Sequence, residues 1–210
     1  MLFRSSSTRL QQTRLPWNPN TLLMPHGVDY DHFSRAVHED LACPADLAAT
    51  PRPRLGFFGL LRDWVDLDLV AEIARRKPEW QVFLIGDADS SVNLKRFTRI
   101  PNLHLAGHRP YADLPAYCRH FDAGLIPFKI NELTVSVNPI KLREYLCAGL
   151  PVISTPLPEV ASYQPSVTVA ADVQEFIAGI EACLADARPS RRAERAALMR
   201  QETWPHTVRR

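Results

Sequence analysis

Residues 122–155 read DAGLIPFKINELTVSVNPIKLREYLCAGLPVIST. In this stretch an apolar segment, Asp122–Pro127, is followed by a polar loop, Lys129–Val137, and then by a segment of helical character, Asn138–Gly149. A second apolar segment, Pro151–Thr155, comes directly after it. A strand, a helix and a strand joined by short connections form a βαβ unit, in which the two strands run parallel. The stretch therefore predicts a parallel sheet covered by helices.

The same alternation continues on both sides of this unit. Further strands are predicted at Arg54–Gly59, Trp80–Gly86, His104–Ala106 and Ser166–Ala170, and helices at Asp66–Arg76, Tyr111–Arg119, Asp172–Ala185, Arg191–Gln201 and around Trp204. The strands show little polar alternation, as expected when both faces of a sheet are covered. We predict an α/β fold with a doubly wound, Rossmann-like parallel sheet, in which ligands bind beyond the carboxyl ends of the strands.

The start of the chain is less regular. Met1–Ser7 is predicted as the end of an apolar strand that enters a serine-rich turn. Leu22–Asp29 is predicted as a short strand ending in a turn, where Pro25 fixes φ and Gly27 offers the positive φ that a sharp turn uses. Residues 34–53, rich in alanine, proline and polar side chains, are predicted as a loose connector.

Composition and charge narrow the class of protein. The 210 residues are 46% hydrophobic and 23% charged, with a net charge of +2, which is typical of a globular domain and gives no sign of nucleic-acid binding. Basic residues cluster at Arg188–Arg200, Arg209 and Arg210, and we expect a solvated helix face there rather than peripheral contact with a membrane.

Cysteine usage and hydrophobic runs indicate the compartment. The four cysteines are widely spaced and form no C-x-x-C pair, which predicts reduced thiols rather than a metal site or disulfides. The uncharged run at Leu146–Pro158 is too short to span a bilayer, and no apolar leader follows the N-terminus. We therefore expect a cytoplasmic protein.

The predicted helix at 138–149 carries the most specific chemistry. Asn138 is expected as its N-cap, Pro139 as its first helical residue and Gly149 as the glycine that ends it. The first turn of a helix presents unpaired N–H groups and a positive dipole end, and Lys141 adds a full charge there. Glu144, three residues on, shares that face. It lies about 7 Å from the helix start, a span similar to that from a diphosphate to the ribose of a nucleotide; a surface Lys–Glu pair is the alternative.

A second candidate lies at the end of the first strand of the main sheet. Gly59 allows close approach of a ligand to the backbone, and Arg62 could reach a phosphate. The segment lacks G-x-G-x-x-G, so a nicotinamide or flavin dinucleotide is not indicated. A tight turn with a surface arginine is the alternative.

These motifs resemble a known family. Asn131–Thr134 followed by Asn138–Ile153 resembles the N-P-x-K-x-x-E-Y-L-A-x-G-x-P-V-V signature of GT-B glycosyltransferases of the family-4, or group 1, type. Pro25–Asp29 resembles the P-N/H-G-V-D turn between their two domains, which involves His26 and Gly27. The resemblance covers roughly residues 20–185 and implies the C-terminal, donor-binding half of a GT-B fold.

The resemblance also implies a function. A nucleotide-diphosphate sugar would be the donor substrate, with no further cofactor and no metal, and the protein would be a transferase of polysaccharide biosynthesis. Glu144 would hold the ribose and Lys141 the diphosphate, and these two are the catalytic candidates. By the same likeness the donor-binding residues are Gly59, Arg62, Asn131, Thr134, Asn138, Pro139, Lys141 and Glu144.

Some features depart from the family pattern. Many members carry a pair of glutamates eight positions apart, and here the earlier position is Ser136. Arg62 does not match the Arg/Lys pair of better-known relatives. The resemblance implies that the N-terminal acceptor domain is missing, since Met1–Leu15 resembles its final strand and turn. The resemblance therefore implies residues 1–27 as the end of that domain and the linker, residues 28–187 as the nucleotide-sugar domain, and residues 188–210 as a C-terminal helical segment.

Three functions are compatible with this pattern. The first is a retaining, metal-independent glycosyltransferase that moves a sugar to a glycan or lipid-linked acceptor, with His26 as a candidate base or merely a packed turn residue. The second is an inactive or split donor-binding module that a separate acceptor-binding domain or protein completes. The third is a nucleotide-sugar epimerase of the same architecture. In each case the expected location is cytoplasmic, with at most peripheral contact at the inner face of the membrane.

Overall fold

A computed structural model describes residues 2–186 and 188–209. Met1, Ala187 and Arg210 lie outside the described residues, and so do the parts of the sequence predictions that fall on them. The strands are β1 (Phe3–Ser5), β2 (Thr21–Leu23), β3 (Arg54–Phe58), β4 (Gln81–Ile85), β5 (Leu103–Gly107), β6 (Ala123–Ile126), β7 (Val152–Ser154) and β8 (Val167–Val169). The helices are α1 (Thr8–Arg14), α2 (Tyr30–His38), α3 (Ala45–Ala48), α4 (Leu67–Arg76), α5 (Leu114–His120), α6 (Ile140–Cys147), α7 (Pro158–Ala161), α8 (Val173–Ala185), α9 (Pro189–Leu198) and α10 (Trp204–Arg209). Short 3₁₀ turns occupy Leu94–Arg96, Tyr111–Asp113 and Thr134–Ser136.

The main sheet has six strands in the order β5-β4-β3-β6-β7-β8, and neighbouring strands pair in parallel. The chain winds outward from β3 to β5, returns to the centre at β6 and winds outward again to β8. This is the doubly wound order, and its switch point lies between β3 and β6. The predicted fold class is confirmed. The first strand, β1, pairs in parallel with β2 in a separate two-stranded sheet.

Close packing of α6 on the sheet fixes the helix beside the switch point. The Tyr145 side chain is completely buried, and its hydroxyl accepts a hydrogen bond of 3.1 Å from the Phe58 N–H at the end of β3. Gly124 in β6 leaves room for the Tyr145 ring, because a Cβ there would lie 2.7 Å from the ring carbon Cγ. The sheet and the helix are therefore held in register at the edge where ligands bind in such folds.

The sequence prediction for α6 is confirmed at the C-terminal end of the helix and wrong at its N-terminal end. At the C-terminal end, Gly149 has φ of +75°, its N–H donates to the Leu146 carbonyl, and the Leu150 N–H donates to the Tyr145 carbonyl. This pair of bonds confirms Gly149 as the terminating glycine. At the other end the N-cap is Pro139, without a side-chain cap. The prediction of Asn138 as N-cap and Pro139 as first helical residue is therefore wrong, because the Asn138 side chain is used elsewhere, as described below.

The predicted connector at residues 34–53 is also wrong, because α2 and α3 occupy much of it. Asp29 begins α2 by accepting a hydrogen bond from the His32 N–H. Phe33 and Ala36 are buried on one face of that helix, and α2 packs against α5 and α6. Burial of this apolar face stabilises a helix whose polar composition suggested a loop.

Gly27 has a different role from the predicted one. The described residues with positive φ are Gly59, Gly86, Gly107 and Gly149, and Gly27 is not among them. A Cβ on Gly27 would instead lie 2.2 Å from the Trp204 backbone nitrogen. The glycine therefore allows the C-terminal segment to pack against the turn, rather than allowing the turn itself.

Two arginines of α9 are not on a solvated face, contrary to prediction. Arg192 donates to the carbonyls of Cys118 and Arg119 at the end of α5, at 2.8 and 3.2 Å, and to the Ala148 carbonyl at the end of α6, at 3.2 Å. Arg195 donates to the Gly149 carbonyl at 3.2 Å. These cations satisfy carbonyl groups that the ends of helices leave unpaired.

The cysteine side chains and the lengths of the helices bear on the predictions about redox state and membrane contact. Residues 2–186 contain all four cysteines, and each is a free thiol, with Cys118 and Cys147 buried. Within the two described ranges, none of the helices has the length and apolar character needed to cross a membrane.

Candidate functional site

A hollow of about 330 Å³ opens at the carboxyl ends of β3, β4 and β5, beside the first half of α6. We call it the α6 cleft. Lys141 and Glu144, predicted to share one helix face, both line it, together with Gly59 at the end of β3. The structure thus brings these three predicted residues together. The lining residues are Phe58, Gly59, Leu60, Ile85, Gly86, Asp87, His108, Arg109, Tyr111, Leu114, Lys141 and Glu144.

Glu144 is the least satisfied polar group of the cleft. Its relative exposure is only 7%, and among the described residues its Oε2 atom has no hydrogen-bond partner. Burial raises the pKa of its carboxyl above the ordinary range, and the Lys141 cation opposes that shift. Buried polar atoms are nearly always hydrogen-bonded, so a carboxylate oxygen left open at a cleft is suited to accept hydrogen bonds from a ligand.

Gly59 makes room for Lys141. It has φ of +139°, and a Cβ there would lie 2.2 Å from Lys141 Cε and 2.7 Å from Nζ. The lysine side chain therefore lies directly over the end of β3. Next to it, Gly86 has φ of +138°, and its Cβ would lie 2.1 Å from the Gly59 carbonyl oxygen. The two glycines let neighbouring strand ends approach closely and keep the floor of the cleft free of side chains.

A second hollow, of about 370 Å³, lies on the other side of Lys141 and is mainly apolar. We call it the apolar cleft. Its lining residues are His26, Phe57, Leu60, Trp64, Phe128, Leu133, Thr134, Val137, Asn138, Pro139, Ile140 and Lys141. Because Lys141 lines both hollows, a ligand bound at its ammonium group can extend into each of them.

Asn131 and Thr134 organise the loop before α6. The Asn131 side-chain oxygen accepts from the N–H groups of Leu133 and Thr134 at 3.0 and 2.9 Å, and the Thr134 hydroxyl accepts from the Asn131 N–H at 2.9 Å and donates to the Lys129 carbonyl. Thr134 is buried in the wall of the apolar cleft, whereas Asn131 is exposed. Their side chains thus hold the loop in shape, and their predicted role in donor binding stays a prediction.

Asn138 and Pro139 line the apolar cleft at the start of α6. The buried Asn138 amide donates to the Ser6 carbonyl at 2.8 Å and accepts from Arg143 at 2.7 Å. The Ser136 carbonyl accepts a hydrogen bond from the Ser7 hydroxyl at 2.6 Å. The N-terminal segment is therefore attached to this loop at two points.

Arg62 and the predicted interdomain turn lie at the margins. Arg62 pairs with Asp89 at 3.5 Å and stacks over Trp64, 4.7 Å from the ring centroid, and among the described residues it lines neither cleft. His26 lines the apolar cleft and meets Trp204 edge-on, with ring centroids 6.0 Å apart. Burial, and secondarily the Arg143 cation, lower the pKa of His26, which favours its neutral form.

The sequence predictions missed the far wall of the α6 cleft. Asp87 follows the end of β4, and His108, Arg109 and Tyr111 follow β5. The rule that ligands bind beyond strand ends could have indicated them, but no motif marks them. Tyr111 stacks on His32 with ring centroids 4.3 Å apart. Within the described ranges, no group of three or more His, Cys, Asp or Glu side chains is placed to hold a metal ion.

Residues 52–186 match the family described as glycosyl transferases group 1. The chain is 31% identical over 141 residues to the putative teichuronic acid biosynthesis glycosyltransferase TuaH of Bacillus subtilis (strain 168), a match that covers 66% of this chain and 35% of TuaH.

Solved structures share the fold at lower identity. HepE from Anabaena in complex with UDP and glucose superimposes with a TM-score of 0.70 at 17% identity, over 99% of this chain and 60% of HepE. WaaG, a glycosyltransferase involved in lipopolysaccharide biosynthesis, gives 0.65 at 16% identity, over 94% of this chain and 57% of WaaG. The chain therefore spans about a third of its curated relative and less than two thirds of each of these solved structures.

Proposed function

Because the chain belongs to the group 1 glycosyl transferases, we propose that it binds a nucleotide-diphosphate sugar in the α6 cleft and takes part in transferring the sugar to an acceptor. The observation that carries this proposal is the convergence of Lys141, in the first turn of α6, and the open carboxylate oxygen of Glu144 in one hollow. Each of these groups fits a different part of such a donor.

The fit can be stated group by group. The first N–H groups of a helix have no partner within the helix and attract phosphate oxygens, and the Lys141 ammonium group adds a full positive charge. One turn further on, Glu144 offers a buried acceptor, and a carboxylate can accept from both hydroxyls of a vicinal diol such as a ribose. The diphosphate therefore belongs at Lys141 and the ribose at Glu144.

This orientation assigns the two ends of the donor. Beyond Glu144 the α6 cleft continues to His108, Arg109 and Tyr111, where the nucleobase would lie. On the other side of Lys141 the apolar cleft would receive the sugar, near Asn138 and Pro139. HepE was solved with UDP, so a uridine diphosphate sugar is the first donor to test.

The chemistry we propose is departure of the diphosphate from the sugar. As the bond between the sugar carbon and the phosphate oxygen breaks, negative charge builds up on the leaving oxygen. The acceptor hydroxyl oxygen forms the new bond to the sugar carbon, and its proton passes to the departing diphosphate. The N–H groups, the helix dipole and Lys141 are fixed beforehand where that charge develops. They would supply the stabilisation without a bound metal, and the family resemblance supports retention of configuration at the sugar.

The acceptor side is a further part of the proposal. TuaH carries the name of a teichuronic acid biosynthesis enzyme, which supports a glycan acceptor and a place in polysaccharide biosynthesis. The β1–β2 sheet exposes Phe3, Leu22 and Leu23, and Leu2 just before β1 is exposed as well. Exposed apolar surface of this kind marks interaction sites. It favours, as a second candidate, a donor-binding module that a separate acceptor-binding domain or protein completes.

Calorimetric titration with UDP tests donor binding. Lys141→Met and Glu144→Gln should each weaken the affinity about tenfold or more, because each removes a hydrogen bond that involves a charged group. Lys95→Met, which removes an exposed lysine outside both clefts, is the control and should bind like the wild type. Unchanged affinity in both site variants would contradict the assignment.

Product analysis separates the candidate reactions. Release of UDP from a UDP-sugar that requires an added acceptor supports the transferase. Binding that becomes turnover only with an added acceptor-binding protein supports the donor module, and a change of sugar configuration without acceptor would indicate an epimerase.

A further inference from the structure

Arg143 is a buried cation in α6 that takes no part in the α6 cleft. Its relative exposure is 4%, and it faces a polar cavity of about 360 Å³ behind the helix. Its Nε group donates to the Glu202 Oε2 atom at 2.7 Å, and its Nη1 group donates to the Asn138 Oδ1 atom at 2.7 Å. Its guanidinium carbon lies 5.3 Å from the ring centroid of Tyr163.

The partner carboxylate is fixed by its own contacts. The Tyr163 hydroxyl donates to the same Glu202 oxygen at 2.6 Å. The Glu202 carbonyl accepts from the Val28 N–H at 2.8 Å, so the turn at residues 199–203 is attached to the chain that enters the main domain. A buried arginine is costly unless it is paired and hydrogen-bonded. Arg143, Glu202 and Tyr163 therefore form one hydrogen-bonded network around the buried cation.

Asn138 connects this network to the phosphate end of the proposed site. Its amide oxygen is occupied by Arg143, which sets the amide so that its nitrogen donates to the Ser6 carbonyl at 2.8 Å. Asn138 directly precedes Pro139, the N-cap of α6, and lines the apolar cleft together with Lys141. The backbone that leads into the first turn of α6 is thus held by the N-terminal segment on one side and by Arg143 and Glu202 on the other.

We infer that Arg143 and Glu202 are positioning residues for donor binding. They hold Asn138, and through it the first turn of α6, in the conformation that presents Lys141 and the first N–H groups to the diphosphate. The turn at 199–203 thereby contributes to donor affinity, although its carboxylate lies in the cavity behind the helix. This inference rests on the proposed function.

Loss of Arg143 or Glu202 should affect the contact with the phosphates and not the contact with the nucleoside. The ribose contact at Glu144 lies a turn further along α6, where Tyr145 fixes the helix to β3. Loosening the first turn should therefore weaken contact with the terminal phosphate and leave the nucleoside contact intact. A role in stability alone would reduce the fraction of folded protein without changing the preference among nucleotides.

The ratio of UMP to UDP dissociation constants is the corresponding measurement. Calorimetry on the full chain would compare the wild type with Arg143→Met and Glu202→Gln. We expect the preference for UDP to fall about fivefold to tenfold in both variants, the equivalent of about one ordinary hydrogen bond. Glu202→Gln keeps the shape of a half-buried side chain, so it carries the test if Arg143→Met does not fold.

Two controls make the result decisive. Asp172→Ala removes the N-cap of α8, a helix that in the described part of the chain lines neither cleft, and it should lower the melting temperature without changing the ratio. Arg143→Lys should restore part of the preference. An unchanged ratio in Arg143→Met and Glu202→Gln, with UDP still bound, would overturn the inference alone, whereas wild-type protein that fails to prefer UDP would overturn the proposed function with it.

Discussion

Glu144 shows how a residue can favour binding at the expense of stability. A carboxyl group that is 7% exposed and has an open oxygen among the described residues loses hydration without full compensation. That loss disfavours its charged form. A bound ribose would return the missing hydrogen bonds. The residue is therefore expected to weaken the ligand-free fold and strengthen the complex.

Replacing Glu144 with glutamine should stabilise the ligand-free protein at neutral pH. Burial raises the pKa of Glu144 in the folded state, so the wild type loses stability as pH rises through that folded pKa, whereas the glutamine variant does not. We expect similar stability at about pH 3, below the ordinary pKa of a glutamate. At about pH 8 we expect an advantage for Glu144→Gln of about 1–2 kcal/mol, the size of a typical stabilising substitution. Urea unfolding at the two pH values measures this; an advantage that is absent at the higher pH would contradict it.

Gly59→Ala should weaken UDP binding more than it weakens folding. A Cβ at this position meets the flexible end of Lys141 at 2.2 Å, so the lysine can move aside but its ammonium group leaves the phosphate position. The backbone at φ of +139° adds strain of about 1–3 kcal/mol. Gly107→Ala is the control, because its φ is +68° and its Cβ would meet nothing within 4 Å. Calorimetry and thermal melts on both variants measure the effect; equal loss of affinity in the two would contradict it.

For single residues, the sequence predicted the chemical groups of the candidate site better than it predicted which partners each side chain contacts. Helical spacing placed Lys141 and Glu144 on one face, and both line one cleft. The N-cap prediction for Asn138 was wrong, because capping rules consider only local hydrogen bonds. Its amide is used by Ser6 and Arg143, and one of these is distant in sequence. The location of Arg62 depends likewise on Asp89 and Trp64, which no local pattern reveals.

Among the elements, α9 holds the ends of two other helices. Arg192 reaches carbonyls of both α5 and α6, and α9 packs against α6. The position of the proposed donor helix therefore depends on a C-terminal element whose basic sequence suggested a solvated surface. Periodicity identified this helix, but the partners of its cations follow only from the tertiary packing. The helix α2 is a second example. Its composition suggested a loop, and its buried face follows only from the tertiary packing.

Arg192→Met should destabilise the fold markedly. It leaves several carbonyl groups at helix ends without a donor, and each unsatisfied buried group costs about 1–3 kcal/mol. We expect a loss of roughly 2–4 kcal/mol. Arg188→Met, which removes an exposed arginine paired with the nearby Asp186, should change stability by less than about 0.5 kcal/mol. Chemical denaturation of the two variants compares them; equal stabilities would show that the carbonyl contacts contribute little.

For the whole molecule, the doubly wound sheet determines where the site lies. The strand order β5-β4-β3-β6-β7-β8 puts its switch point between β3 and β6, and the two clefts meet there at Lys141. This much was predictable, because short connections and apolar strands specify the topology. The association of the two chain ends was not predictable. Val28 bridges to Thr203, and the N-terminal segment bonds to the loop before α6.

Gly27→Ala should disturb this association of the chain ends. Its Cβ would lie 2.2 Å from the backbone nitrogen of Trp204, and backbone atoms cannot move aside as a side-chain end can. We expect a loss of about 2 kcal/mol and faster amide exchange in residues 199–209, which hydrogen exchange with mass spectrometry measures. Protection equal to the wild type in that segment would contradict the role assigned to Gly27.

A crystal structure of the protein with UDP is the decisive measurement of whether Lys141 and Glu144 hold one nucleotide diphosphate. We expect phosphate oxygens within hydrogen-bond distance of Lys141 Nζ and the first N–H groups of α6, and ribose hydroxyls on the open Oε2 atom of Glu144. UDP bound outside the α6 cleft, or bound within it with its ribose away from Glu144, would contradict the account.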